Sequence, residues 1–341
     1  MEKKTYTINE TLKLERGGML SQVEIAYETW GSLNEKRDNV IWVFHALTAN
    51  ADVADWWPGM VGDGKLMDPG KDFIICANIL GSCYGTTGPL SKDPGKNSSY
   101  FHDYPQLTIR DMVALHIRLF DELDLQRIKM AIGGSIGSFQ ALEWAVTRPD
   151  DIKHLVFMAS GAKASPWAIA FNESQRMAIE ADQTFQLKQA DAGAEGLKAA
   201  RSIALLSYRN AATYNATQQE EDTNKLDNFR SCSYQRYQGE KLHKRFNAFS
   251  YHRLLSAFDT HNVGRNRGGI QEALAKITAK TLILAIDSDI LFPPEEMKEL
   301  APLIKNSHWV MISSRYGHDG FLIEVEKITK HVKKFLKNGK H

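Results

Sequence analysis

Met130-Ala131-Ile132-Gly133-Gly134-Ser135-Ile136-Gly137-Ser138-Phe139-Gln140-Ala141-Leu142-Glu143-Trp144 passes from an apolar run straight into a helical pattern. The joint is Gly-x-Ser-x-Gly, the strand–turn–helix signature of a nucleophile elbow. So tight a turn requires Gly133 and Gly137 to lack side chains, because a Cβ there would strike the neighbouring strand or helix. Ser135 is then expected on a strained backbone with its hydroxyl exposed. The Ile136 amide is expected at the N-terminus of the new helix, where unpaired N–H groups and the helix dipole favour a developing negative charge. As a bare pattern the same turn occurs in other α/β proteins, so the flanking elements and the partners downstream carry the argument.

Outward from the elbow, short apolar runs of the buried-strand type lie at 40–44, 73–77, 128–132, 155–158, 282–286 and 309–312. Helix-period segments such as 109–123 and 139–146 separate several of them. Strands alternating with helices predict an α/β fold with a mostly parallel sheet covered on both faces. Near the N-terminus, alternation around Leu12 and Leu14 and then Val23, Ile25 and Tyr27, with Gly17-Gly18 between, predicts two antiparallel strands joined by a turn. The alternation breaks between about 165 and 276, where 167–181, 195–207, 222–229 and 251–258 read as helices. The polar stretch 217–224 reads as a solvated helix start. A helical block between two strands is an insertion over the C-terminal edge of the sheet, where ligands bind in open α/β sheets. The expected organisation is a core of 1–164 and 277–341 with a helical lid of 165–276. After Gly320, Leu322, Val325, Ile328, Val332 and Phe335 form one stripe, opposite Lys327, Lys330, Lys333, Lys334 and Lys337. This predicts a surface helix packed on the sheet.

With 341 residues the chain makes one large or two ordinary domains. A formal net charge of +1 argues against nucleic acid or a membrane surface as partner. Cys76, Cys83 and Cys232 are odd in number and lack metal-type spacing, which suits a reducing cytosol better than a disulfide framework. After Met1-Glu2-Lys3-Lys4 the chain turns polar without an apolar signal core, and no apolar run approaches a membrane span. A soluble cytoplasmic protein is expected.

A serine hydroxyl needs a base to become a nucleophile. In elbow architectures the acid and then the histidine follow the serine, each on a loop after a later strand. The run 281–286 ends in Asp287-Ser288-Asp289, and Asp289 is the better placed carboxylate because Asp287 still belongs to the strand end. The run 309–312 leads to Gly317-His318-Asp319, which supplies the imidazole. Of the eleven histidines only His45 also follows a core strand. It opens Phe44-His45-Ala46-Leu47-Thr48, the loop expected to supply the second oxyanion amide, from Leu47, beside that of Ile136. His45 itself reads as structural.

These residues resemble a known family, the homoserine O-acyltransferases of the α/β-hydrolase superfamily. The resemblance covers nearly the whole chain: His45-Ala46-Leu47-Thr48, Trp56-Trp57, the stretch from Asn78 to Pro89, Thr108 to Val113, and the elbow with Gln140 to Trp144. In the lid it covers Phe171 to Arg176, Ser207-Tyr208-Arg209, Tyr234 to Gly239 and Arg245-Phe246, and near the end Ser288-Asp289 and Gly317-His318-Asp319. The departures are Ala49 where the family usually has Gly, Ser138-Phe139 where Gly-Met is common, and a short C-terminus. The resemblance implies ping-pong transfer in methionine biosynthesis, from acetyl-CoA as co-substrate through Ser135 to L-homoserine. His318 would serve as base and acid and Asp289 as its orienting carboxylate. It implies no bound cofactor and no metal, and a homodimer through the lid. It assigns the substrate's carboxylate to Arg209 and its ammonium to Asp319, with Arg176 and Tyr234 as further candidates lining the site. A succinyl donor or a serine acceptor stays open, since one methylene is worth only about 1–3 kcal/mol of discrimination. A serine esterase is the first alternative reading, and a binding protein without chemistry the second.

Overall fold

The computed structural model describes residues 1–337; the last four residues of the expected core, 338–341, lie outside them. The strands are β1 (Glu2–Ile8), β2 (Leu12–Lys13), β3 (Met19–Leu20), β4 (Val23–Trp30), β5 (Val40–Phe44), β6 (Phe73–Ala77), β7 (Ile128–Gly134), β8 (His154–Met158), β9 (Lys280–Ile286) and β10 (Ser307–Ile312). The helices are α1 (Val53–Trp56), α2 (Ile109–Glu122), α3 (Ile136–Thr147), α4 (Pro166–Glu180), α5 (Ala194–Tyr208), α6 (Ala211–Gln218), α7 (Arg230–His243), α8 (Ala248–Asp259), α9 (Ile270–Leu274), α10 (Pro294–Lys298), α11 (Gly320–Ile323) and α12 (Val325–Lys337).

Eight strands form one sheet in the order β1-β4-β6-β5-β7-β8-β9-β10. The pairs β1–β4 and β4–β6 are antiparallel and the others parallel. Every residue of β5, β6 and β8 is buried, as expected where helices cover both faces. Alternate residues serve opposite faces. Val40, Trp42 and Phe44 join the core under α2 and α3, whereas Ile41 and Val43 join the one under α12. Trp42 meets Trp144 of α3 edge-on at 4.9 Å, which ties the central strand to the helix that follows the elbow.

Three details differ from the sequence reading. The long partner of β4 is β1, while residues 12–20 form a separate two-stranded ribbon around Gly17 at φ 91°. Leu12, Leu14 and Leu20 are buried, so this ribbon packs on the core instead of extending the sheet. In the lid, 222–229 is not helical: Asn228 takes φ 50°, which interrupts a right-handed helix, and Leu226 is 91% exposed. The helices there are α6 and α7, and 217–224 holds the end of α6 instead of a helix start. No residue of α6 is buried, and in α7 only Gly239 and Leu242 are, so neither carries an apolar stripe to be read. Finally, the terminal helix is split at Glu324. Ile328, Val332 and Phe335 bury the α12 stripe, but Leu322 lies in α11. No helix among the described residues is long and apolar enough to cross a membrane.

Candidate active site

Ser135 caps α3 at φ 57° and ψ −130°, a conformation that costs roughly 1–3 kcal/mol for a residue with a Cβ. The surroundings enforce it. The Ser135 amide donates to Met158 O (3.1 Å), and its carbonyl accepts from Ser160 Oγ (2.9 Å) and the Ser138 amide (2.9 Å). A Cβ on Gly137 would stand 2.2 Å from Phe44 O, and one on Gly133 would stand 2.7 Å from the Gly137 carbonyl carbon. Gly134 is as constrained, because a Cβ there would meet the Phe321 ring at 2.3 Å. The departure Ser138-Phe139 also has local reasons. Ser138 Oγ donates to Gly133 O (2.7 Å) and accepts from Met158 N (2.8 Å). Phe139 stacks on His261 at 3.8 Å and meets Phe292 edge-on.

His318 sits in a short turn after β10, with its Nδ1 2.7 Å from Asp289 Oδ2. The other carboxylate oxygen, Oδ1, accepts from the amides of Leu291 (2.8 Å) and Phe292 (2.9 Å). Both side chains are buried. Phe292 and Phe321 flank the imidazole at centroid distances of 5.4 and 5.3 Å, with Tyr208 of the lid at 5.6 Å. Asp287 lies elsewhere: its Oδ1 accepts from the Ser314 amide (2.9 Å), bridging the loops after β9 and β10. Gly317, at φ 64°, lets this turn approach the lid, since a Cβ would meet Tyr208 O at 2.8 Å.

The loop after β5 reaches the elbow because Gly137 lies against Phe44 O. His45 is fully buried, and burial pushes its imidazole down to about 4, so the ring is neutral. Its Nε2 accepts from the Ile79 amide (3.1 Å), and its Nδ1 donates to Ala46 O (2.8 Å), which also accepts from the Ala49 amide (3.0 Å). Ala46 C=O and Leu47 N–H belong to one trans peptide, so anchoring the carbonyl directs the amide the opposite way. Ala49 is absent from the residues of positive φ, so a Cβ at this position brings no left-handed strain. Ile136 opens α3, where helix geometry leaves an amide without an intrahelical partner.

A cavity of about 460 Å³ brings Ser135, His318, Leu47 and Asp319 together with Arg201 and Tyr208 of α5. Lys241 and Arg245 line it too, and none of these three cations was placed here by the sequence reading; Arg201 is the one on the helix that carries Tyr208. Its guanidinium lies 5.6 Å from the Tyr208 ring centroid. Burial lifts the Asp319 carboxyl above the ordinary aspartate value, against the opposing pull of Arg209, His318 and Arg201.

The other three expected substrate ligands do not line this cavity. Arg209, assigned to the substrate carboxylate, instead pairs with Asp319 (Nη1 to Oδ2, 2.9 Å) and faces a separate pocket of about 240 Å³. Arg209 follows the last residue of α5 in extended backbone (φ −101°, ψ 149°), so it does not continue the helix that carries Arg201. Tyr234 lines that second pocket, its hydroxyl 3.4 Å from Arg209 Nη2. Arg176 is taken up by Glu173 (2.5 Å) and Asp259 (2.7 Å), holding α4 to α8. Among the described residues no group of His, Cys, Asp and Glu is arranged to hold a metal ion.

Residues 39–325 match the family model of the alpha/beta hydrolase fold. The chain is 45% identical to the homoserine O-acetyltransferase of Cyclobacterium marinum over 335 residues, 98% of this chain and 95% of that protein. It is 43% identical to the homoserine O-acetyltransferase of Chlorobium luteolum, over 98% and 94% of the two chains. The crystal structure of homoserine O-acetyltransferase from Bacillus anthracis superposes with a TM-score of 0.91 at 22% identity, covering 98% and 97% of the chains, which shows the shared fold.

Proposed function

Since the chain belongs to the homoserine O-acetyltransferases of the α/β-hydrolase fold, we propose that it carries an acetyl group from acetyl-CoA through Ser135 to the hydroxyl of L-homoserine. The observation that carries this reading is the single cavity shared by Ser135, His318, Arg201 and Asp319. A nucleophile with its base lies there, and the same walls carry Arg201, Lys241 and Arg245 as cations and Asp55 and Asp319 as carboxylates, charges that can pair with the two ends of an α-amino acid.

In the first half-reaction Ser135 Oγ bonds to the thioester carbonyl carbon and its proton passes to His318 Nε2. The carbonyl becomes an oxyanion facing the Leu47 and Ile136 amides, each worth on the order of 3 kcal/mol of barrier. Collapse breaks the C–S bond, and His318 returns the proton to the departing thiolate. In the second half the homoserine hydroxyl gives its proton to His318 and bonds to the acyl carbon. The bond between the acyl carbon and Ser135 Oγ then breaks, and His318 reprotonates the serine. Asp289 holds Nδ1–H throughout, keeping the tautomer that leaves Nε2 free and stabilising the imidazolium. Arg201 pairs with the α-carboxylate and Asp319 with the α-ammonium, charge-assisted bonds that aim the hydroxyl at the acyl-enzyme.

No cofactor or metal enters this scheme. The location proposed is the cytoplasm, as part of methionine biosynthesis. A homodimer through the lid is also proposed. Leu206, Leu226 and Tyr237 of the lid are each more than half exposed, apolar surface that a partner copy would cover; light scattering on the purified chain checks it. The deciding experiment incubates the protein with acetyl- or succinyl-CoA and no acceptor, reads the Ser135 adduct by mass spectrometry, then adds homoserine or serine. An acetyl adduct that homoserine discharges supports the reading. Thiol release independent of any amino acid refutes it in favour of an esterase.

A further inference from the structure

The loop after β5 is held on its inner side by the core. His45 and Ala49 anchor the Ala46 carbonyl, Trp56 Nε1 donates to Asn50 O (2.9 Å), and Asn78 Oδ1 accepts from the Ala51 amide (2.8 Å). The outer side, at Thr48, is held by the lid. Arg245, just past the end of α7, donates from Nη1 to Thr48 O and to the Tyr84 hydroxyl (2.7 Å), and from Nη2 towards Thr48 Oγ1 (3.4 Å). Tyr84 is fixed in turn, its carbonyl accepting from Asn78 Nδ2 (2.8 Å) and its ring edge-on to Phe246 at 5.7 Å. The backbone of Arg245 is also tied to the core, its carbonyl accepting from Cys83 Sγ (3.6 Å).

Resting on the acyl-transfer reading above, we propose that Arg245 is a positioning residue through which the lid locks the oxyanion loop. Thr48 adjoins Leu47, whose amide faces the developing oxyanion. The guanidinium holds the 48–49 peptide on one side, and His45 with Ala49 holds the 46–47 peptide on the other. The Ala49 N–H that clamps the Ala46 carbonyl belongs to that same 48–49 peptide, so the guanidinium on Thr48 O steadies one of the two donors that orient the 46–47 peptide and with it the Leu47 amide. With the Arg245 end released, the loop samples orientations in which the donor is misdirected. Misplacement of about 1 Å costs up to ~10²-fold in rate. Both half-reactions pass through an oxyanion, so both must slow together. Arg245 also lines the cavity, and a contact with substrate would have a different signature: a raised KM for one anionic substrate.

The test compares wild type, Arg245→Ala and Arg245→Lys with p-nitrophenyl acetate, a neutral donor lacking both the CoA phosphates and the homoserine carboxylate. The pre-steady-state burst reports acylation of Ser135, and homoserine-dependent discharge of the acyl-enzyme reports the second half. For Arg245→Ala the expected result is a fall of about 10- to 100-fold in both rates, with the KM for homoserine unchanged within about twofold. Arg245→Lys, which keeps one donor for Thr48 O, should recover part of both rates. Melting temperatures of the two variants separate a local effect from unfolding. An unchanged burst in a folded Arg245→Ala overturns the proposal, as does a rise confined to the KM of acetyl-CoA or of homoserine. A wild-type acyl-enzyme that turns over equally fast with and without homoserine overturns the acyl-transfer reading instead.

Discussion

Asp289→Asn has a consequence that can be worked from the hydrogen bonds around the carboxylate. Oδ1 accepts two backbone amides, at 2.8 and 2.9 Å, and Oδ2 receives His318 Nδ1. An asparagine can keep its oxygen on the amides of Leu291 and Phe292, presenting its NH₂ to His318. Alternatively it can turn its NH₂ towards two backbone donors. The second choice leaves buried donors facing each other, at roughly 1–3 kcal/mol for each unsatisfied group. Exchanging the imidazole tautomer is cheaper, so the NH₂ faces Nδ1. Nδ1 must then be the acceptor and Nε2 carries the hydrogen, leaving no lone pair to take the proton of Ser135. The loss expected for a wrong tautomer in intact geometry is about 10⁴-fold in kcat, or about 5 kcal/mol of barrier. Asp287→Asn keeps the acceptor for the Ser314 amide and should change kcat by less than about tenfold. The assay is steady-state acetyl transfer, followed by loss of thioester absorbance so that the exposed Cys232 contributes no background. A near-normal rate for Asp289→Asn, or a larger loss for Asp287→Asn, refutes the assignment.

Ser135→Ala should abolish transfer and the acetyl adduct while leaving the melting temperature within a few degrees, read by mass spectrometry and calorimetry. Arg201→Lys should raise the KM for homoserine by about 10- to 100-fold, the range of a charged hydrogen-bond pair worth ~1.5–3 kcal/mol; donor-only acylation of Ser135 should stay normal. Asp319 must be ionised to hold the substrate ammonium, and burial raises its pKa. The KM for homoserine should therefore climb as pH falls through a value above that of an ordinary aspartate. Arg209→Gln removes the strongest opposing charge and should move that acid limb to higher pH; an unmoved limb dismisses the Arg209–Asp319 pair as a determinant of binding. Glu143 is buried, with Arg267 (2.5 Å) and Arg110 (3.3 Å) on its carboxylate. Glu143→Gln leaves Arg267 without its carboxylate while Arg110 keeps Glu15 (3.0 Å), and should lower stability by about 3 kcal/mol, the low end for a broken buried pair, measured by urea unfolding.

By itself the sequence determined what local chemistry controls. A turn too tight for side chains is written as Gly133 and Gly137, and strands buried on both faces are written as unbroken apolar runs at 40–44 and 73–77. The acid and base of an elbow site are legible because each follows a strand end, and Asp289 could be separated from Asp287 by its distance beyond that end. The same logic failed where packing leaves no trace in the residue pattern. Helices α6 and α7 bury almost nothing, so no periodicity announces them, and the Asp/Asn-rich 222–229 between them is ended by a left-handed Asn228 that only the folded chain reveals. Which arginine lines the Ser135 cavity was likewise tertiary. Arg201 and Arg209 stand eight residues apart, roughly 80° around a helix at 3.6 residues per turn, so periodicity puts both on nearly one face. What separates them is that α5 ends at Tyr208 and Arg209 leaves it in extended backbone. The turn at Gly317–Asp319 packs against that end, taking Arg209 as the partner of Asp319, while Arg201 stays on the wall of the cavity that holds Ser135. Side-chain direction at a helix terminus is set by what the terminus docks against, and that partner lies more than a hundred residues away in the chain.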